Sequence, residues 1–137
     1  MTASRPPSNP QARKLGLAPG ARLWLDGTPS GWELTDAPPG LIAVGRDEPA
    51  DIIVAFFAAA DELARRAPDL ARRIFPSGLL WVAWPRRAAG HVSDITDTVV
   101  RGIVLPLGLV DTKVAALDHD WSALRVVWRR ERRSAGP

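Results

Sequence analysis

The sequence predicts an α/β domain whose sheet is mostly parallel, is covered on both faces and ends in an antiparallel hairpin. Three observations lead to this fold class. Two apolar runs, Asp51 to Phe57 and Gly78 to Trp84, have no polar face, which is how strands buried on both sides read. Stretches of helical periodicity follow them, from Ala59 onward and from Ser93 to about Leu105. Near the end of the chain the pattern changes to alternation. Leu124, Val126 and Trp128 interleave with Arg125, Val127 and Arg129, as in an antiparallel strand wet on one face.

Taken in order, Lys14 to Gly20 is a turn-rich lead-in punctuated by Pro19-Gly20. Arg22 to Leu25 is the first strand and stops at Asp26-Gly27. Thr28 as N-cap and Pro29 at the first helical position predict a short helix through Trp32 and Leu34, ended by Pro38-Pro39-Gly40. Leu41 to Val44 is a second short strand, and Arg46-Asp47-Glu48-Pro49 a polar loop before the 51–57 strand. Ala59 to Ala67 is helical, with Asp61 and Glu62 early and Arg65 and Arg66 late, matching the helix dipole. Pro68 predicts a kink or a second short helix, with Leu63, Ala67, Leu70 and Ile74 on the apolar face.

In the central run, Leu79, Trp81 and Ala83 point to one face and Leu80, Val82 and Trp84 to the other. Pro85 lacks an N–H and ends the ladder. Ser93 or Asp94 is expected to cap the next helix, which Ile95, Val99 and Ile103 would bury and Pro106 and Gly108 would end. Val110 to Leu117 and Ala123 to Arg130 form the hairpin. Asp111 and Lys113 fall on one strand face and are expected to pair with each other. Together these elements give a Rossmann-like, three-layer α/β fold.

Length and composition set the outer bounds. A chain of 137 residues, 46% of them hydrophobic, is one ordinary domain with a proper core. The expected organisation is a disordered segment at 1–13, a single domain over 14–130 and a flexible basic tail at 131–137. No apolar stretch approaches the ~20 residues of a membrane span, and the amino terminus has no apolar core of a signal peptide, so a cytoplasmic protein is expected. The absence of cysteine excludes disulfides and thiolate metal sites, and His91 and His119 are too few for a zinc site. The basic balance comes from arginine, since Lys14 and Lys113 are the only lysines. Five arginines, Arg125, Arg129, Arg130, Arg132 and Arg133, crowd the last strand and tail and read as a solvated basic end. Nucleic-acid binding through them is expected to be weak at most.

The candidate site is the loop after the central strand. Ligands of open α/β sheets sit beyond the carboxyl ends of the strands. There Arg86 and Arg87 meet Gly90, His91, Ser93 and Asp94 at an expected helix start, beside Trp84, and the end of the first strand brings Asp26 and Thr28 to the same rim. Two guanidinium groups and helix N–H groups favour a small anion or a phosphate-bearing ligand. A structural reading competes, because Asp94 and Asp97 could satisfy that helix end. His91 has no assignable nucleophile or carboxylate partner, and Asp118-His119-Asp120 reads as a turn rather than a metal site. The six tryptophans read as core and hairpin packing rather than a stacking platform for bases. No catalytic triad, P-loop or carboxylate pair is present.

Two resemblances add to this. Trp81-Val82-Ala83-Trp84-Pro85, Leu105-Pro106-Leu107-Gly108-Leu109-Val110-Asp111 with Lys113, Trp121-Ser122 with Leu124-Arg125, and Lys14-Leu15-Gly16 are together similar to a family of small bacterial proteins of unknown function. The similarity covers about residues 14–130 and departs at Arg86-Arg87, where two lysines are expected. It brings no activity with it. The closing strand–helix–hairpin resembles the carboxyl half of the class I methyltransferase fold, whose last two strands form an antiparallel pair. That resemblance implies a glycine-rich S-adenosylmethionine loop after the first strand, but Asp26-Gly27-Thr28-Pro29-Ser30-Gly31 lacks the second and third glycines, and Pro29 removes a donor. Only Asp47 and Glu48 stand near the place of the ribose-binding acid. The expected function is therefore a non-catalytic binding or interaction module for a small anionic ligand or a protein partner, with no cofactor. The alternatives are a divergent methyltransferase-like enzyme and a weak nucleic-acid binder.

Overall fold

The structure is a computed structural model and describes residues 14–34, 37–86 and 90–133. Six strands form one sheet: β1 (Arg22–Asp26), β2 (Ile42–Ala43), β3 (Ile52–Phe56), β4 (Leu79–Pro85), β5 (Leu109–Ala116) and β6 (Trp121–Trp128). Two helices connect them, α1 (Ala60–Arg73) between β3 and β4 and α2 (Asp97–Val104) between β4 and β5. The sheet order is β2-β1-β3-β4-β6-β5, parallel from β2 to β4 and antiparallel through β6 and β5.

The two runs without a polar face are the sheet's centre. All five residues of β3 are buried, and Leu80, Trp81, Val82 and Ala83 of β4 are wholly enclosed. The two faces build separate cores. On one, Ile53, Ala55, Leu80, Val82 and Trp84 pack under Leu63, Ala67 and Leu70 of α1 and Val100 and Val104 of α2. On the other, Ile52, Val54, Phe56, Trp81 and Ala83 are covered by Leu15, Leu17, Trp32, Leu34 and Leu41. Both helices thus lie on one face. The other cover comes from the segment before β1 and from the β1–β2 connection. Trp81 is tied to it through its indole N–H, which donates to the Leu15 carbonyl at 3.0 Å.

Four local expectations are corrected. Among the described residues no helix follows Thr28. Residues 29–32 make one turn, with Trp32 N–H donating to the Pro29 carbonyl at 3.0 Å and Gly31 at φ +77°. A stretch stopped at Pro38 is too short to repay helix nucleation, and the positive φ of Gly31 breaks the helical run. Next, Pro68 does not begin a second helix, since α1 continues through it to Arg73 as one helix of 14 residues. Its buried stripe, Leu63, Ala67, Leu70 and Ala71, outweighs the hydrogen bond that proline cannot make. The third concerns α2, which starts later than expected. Its cap is Thr96, whose hydroxyl accepts from Val99 N–H at 3.2 Å, because Ser93 and Asp94 are engaged elsewhere. Last, the register of β5 against β6 shifts between Asp111 and Lys113, so the two do not pair. Asp111 instead accepts from Arg101 Nε of α2 at 2.8 Å.

After β6 the chain turns through a short 3-10 helix, Arg130–Arg132, and Arg133 Nε donates back to the Trp128 carbonyl at 3.0 Å. No helix among the described residues is long and apolar enough to cross a membrane.

Candidate functional site

Starting from β1, the chain goes to β2 on one side and then to β3 on the other. The crevice beyond the carboxyl ends of β1 and β3 is therefore the topological switch point, where this class of sheet binds ligands. Asp26 ends β1 opposite Ala55, and Phe56 ends β3. Gly27 follows at φ +69°, so close to β3 that a Cβ there would stand 3.0 Å from the Phe56 carbonyl oxygen. Only glycine suits this step.

Protein side chains fill both flanks of the crevice. On the helix side, Arg66 of α1 reaches Asp26 with two hydrogen bonds, at 2.5 and 3.3 Å. Burial pushes the Asp26 carboxyl up. The hydrogen bonds from Arg66, with the charges of Arg66 and Arg46, outweigh burial and hold it below the usual carboxylate range. On the opposite side, Phe56 meets Trp32 edge-on at 4.9 Å and Trp121 edge-on at 5.1 Å. The Trp32 indole N–H donates to Asp118 Oδ2 at 2.9 Å, which ties the β1–β2 connection to the β5–β6 loop.

The residues singled out from the sequence fall into separate clusters. Arg86 and His91 are brought together over the β5–β6 loop. Arg86 N–H donates to the Asp120 carbonyl at 2.8 Å, and its Nη1 donates to the carbonyls of His119 and Asp118 at 3.1 and 3.4 Å. His91 Nε2 lies 2.9 Å from Asp120 Oδ1, and His91 N–H donates to the Arg86 carbonyl at 3.3 Å. The hydrogen bond from His91, with the charges of His119, His91 and Arg86, draws the Asp120 carboxyl below its ordinary range. Ser93 and Asp94 form a second cluster. The Ser93 hydroxyl donates to the Ala58 carbonyl at 2.8 Å, and Asp94 Oδ1 accepts from Ala60 N–H at 2.8 Å. Asp94 thereby supplies the start of α1 with the acceptor that Ala59, its N-cap, lacks. Trp84 is buried in the helix-side core, Asp26 is paired with Arg66, and Thr28 is exposed beside Gly27. Arg87 lies outside the described residues.

Sequence reasoning missed Arg66, Trp32, Phe56 and Trp121 as rim residues. The signal for the aromatics was weak but present, since Phe56 closes an apolar run and Trp32 and Trp121 sit in turn-rich stretches. Asp118-His119-Asp120 forms a turn, with Asp118 Oδ1 accepting from Asp120 and Trp121 N–H groups, and it also anchors Arg86, His91 and Trp32. No cluster of three or more potential metal ligands occurs among the described residues.

Similarity to known proteins lies in the fold. A SAM-dependent methyltransferase from Aquifex aeolicus superposes with a TM-score of 0.53 at 13% identity, over 83% of this chain and 85% of that one. The chain has a methyltransferase-like fold. The ribosomal protein L11 methylase of Lactobacillus delbrueckii subsp. bulgaricus gives 0.57 at 12% identity, over 88% of this chain and 75% of that one. Fibrillarin from Aeropyrum pernix, with natively bound S-adenosyl-L-methionine, gives 0.53 at 15% identity, over 85% and 73%. At these identities the methyltransferase-like architecture is shared, and nothing about activity follows. No protein-family model and no curated protein matches the sequence.

Proposed function

We propose that this chain is a non-catalytic binding module on a methyltransferase-like fold, and that it takes a small anionic or phosphate-bearing ligand at the rim. The observation that carries the non-catalytic reading is the closed switch point. Arg66 on Asp26 and the Trp32–Phe56–Trp121 group occupy the crevice beyond β1 and β3. In this reading the ligand contacts Arg86, Arg87 and His91 over the β5–β6 loop, and Asp26, Thr28, Trp84, Ser93 and Asp94, which stand in other clusters, do not touch it. Its support is that the Arg86 guanidinium is only partly buried and the His91 ring is exposed, on a loop that hydrogen bonds hold in place. Melting temperature with inorganic phosphate and nucleotides is the test, since a ligand in excess of its Kd raises it. Phosphate should stabilise the parent, and Arg86→Ala with Arg87→Ala should remove that shift while the fold stays intact. An unchanged melting temperature across the anion series overturns the reading.

A second reading is a divergent SAM-dependent methyltransferase, favoured by the solved structures of similar fold. Calorimetry with S-adenosylmethionine separates the two. A micromolar Kd would favour the enzyme, and no heat of binding the module.

A further inference from the structure

The end of the sheet opposite the rim carries a second surface. β6 runs antiparallel to β4, with Pro85 opposite Trp121 and Leu80 opposite Val126. Trp128 therefore lies where β4 begins, far from the rim. A groove of about 240 Å³ opens there, lined by Pro68, Ala71, Arg72, Leu107 and Trp128. That space is smaller than a typical cofactor site and suits one or two side chains. Its floor is fixed in advance. Trp128 Nε1 donates to the Ala71 carbonyl at 2.8 Å, and Phe75 meets the Trp128 ring edge-on at 5.4 Å.

The rim of this groove is basic. Arg129, Arg130, Arg132 and Arg133 are all exposed around the 3-10 turn that follows Trp128. The Arg132 guanidinium lies against Gly108, where a Cβ would stand 3.1 Å from its Nε and 3.2 Å from the edge of the Trp128 ring. Arg72 on the facing helix pairs with Asp69 at 3.1 Å, with both side chains more than half exposed. Asp69 and Glu131 are thus the carboxylates set against five arginines. The run that reads in sequence as a solvated basic end is held beside an apolar floor.

We propose that this groove docks a short acidic protein segment that carries an apolar side chain. The apolar group enters between Pro68, Leu107 and Trp128. Carboxylates on either side of it meet Arg132 and Arg72, whose planar guanidinium groups donate paired hydrogen bonds to them. Arg72 exchanges its exposed partner Asp69 for the segment at little cost, because such surface pairs contribute little. A protein segment fits better than single-stranded nucleic acid. A base needs an open aromatic face to stack on, and Trp128 is only 3% exposed. The proposal is independent of the anion reading at the rim.

The test uses the full chain and fluorescence anisotropy. The probe is a labelled peptide of aspartates and glutamates around one leucine and one phenylalanine. Three comparisons accompany it: the same peptide with asparagine and glutamine, the same peptide with serine for its apolar residues, and oligodeoxythymidine. The acidic apolar peptide should bind, and each altered peptide should lose about tenfold or more in affinity. Arg132→Glu should weaken the parent peptide by a similar factor at unchanged melting temperature, and Leu107→Asp should weaken it as well, with a lowered melting temperature because Leu107 packs partly against the core. Arg86→Ala, at the other end of the sheet, should leave it unaffected. Failure of the probe to bind, equal binding of the serine peptide, or tighter binding of oligodeoxythymidine that survives Leu107→Asp would each overturn the proposal.

Discussion

Asp26 and Arg66 are forty positions apart, and no local rule connects them. Their pairing closes the end of β1 against α1, and it carries a pH signature. The Asp26 carboxyl is held below the usual carboxylate range, so its stabilisation is complete above that range and is lost as pH falls through the lowered value. Asp26→Asn should cost about 1–3 kcal/mol at neutral pH by urea denaturation, since it leaves Arg66 without its charged acceptor. The same variant should show a flatter loss of stability on acidification than the parent. Trp81 behaves differently, because its burial was legible in a run with no polar face. Trp81→Ala should cost roughly 3–5 kcal/mol. A melting temperature within a degree or two of the parent, on the order of what a few tenths of a kcal/mol produces, would contradict its place in the core. What the sequence hid at this scale was the acceptor, since a Leu15 carbonyl carries no side-chain signature.

Elements were legible where periodicity and length agreed. The strands at 51–57 and 78–84 and the terminal hairpin appear within a residue or two of their expected places, because burial on two faces and alternation on one are written in side-chain polarity. Helix starts were not, because capping is a tertiary matter here. Ser93 and Asp94 have the right chemistry for a cap, yet Asp94 serves α1, whose own N-cap is an alanine. Two substitutions separate these roles. Thr96→Ala should cost about 1 kcal/mol and speed amide exchange in the first turn of α2. Asp94→Ala should instead speed exchange in the first turn of α1, more than thirty residues earlier in the chain. Matching exchange patterns in the two variants would contradict the assignment. The candidate loop was thus legible as a cluster of polar residues, but which partner each would choose depended on the hairpin and on the β3–α1 junction.

Over the whole molecule, the alternation of strands and helices was enough to read a Rossmann-like sheet with an antiparallel end. The missing helix after β1 was not foreseen, because a proline after a threonine looks the same before a helix and before a turn. Its replacement by Trp32 and Leu34, packed on the face away from both helices, fills the space beside the switch point. S-adenosylmethionine should therefore show no useful affinity in calorimetry, and Trp32→Ala alone should not restore it while Arg66 remains on Asp26. Nucleic-acid binding should be weak and fall steeply with added salt, because phosphate contacts release counterions. A sequence-specific nanomolar complex at physiological salt would contradict that expectation.

The strand order has a consequence for how the chain is made. Among the described strands β6 comes last in sequence, yet it lies between β4 and β5. Until it leaves the ribosome, one edge of the wholly apolar β4 has no hydrogen-bonding neighbour and β5 has no sheet to join. The lead-in, tied to β4 through Trp81 and Leu15, gains one further contact late, because Lys14 Nζ donates to the Ala116 carbonyl on β5 at 2.9 Å. A nascent chain halted before Trp121 presents an unpaired apolar edge, the kind of surface that holdase chaperones capture and that aggregates when they are scarce. Completion of the domain waits on its final strand, so early termination should yield insoluble material rather than a smaller folded core.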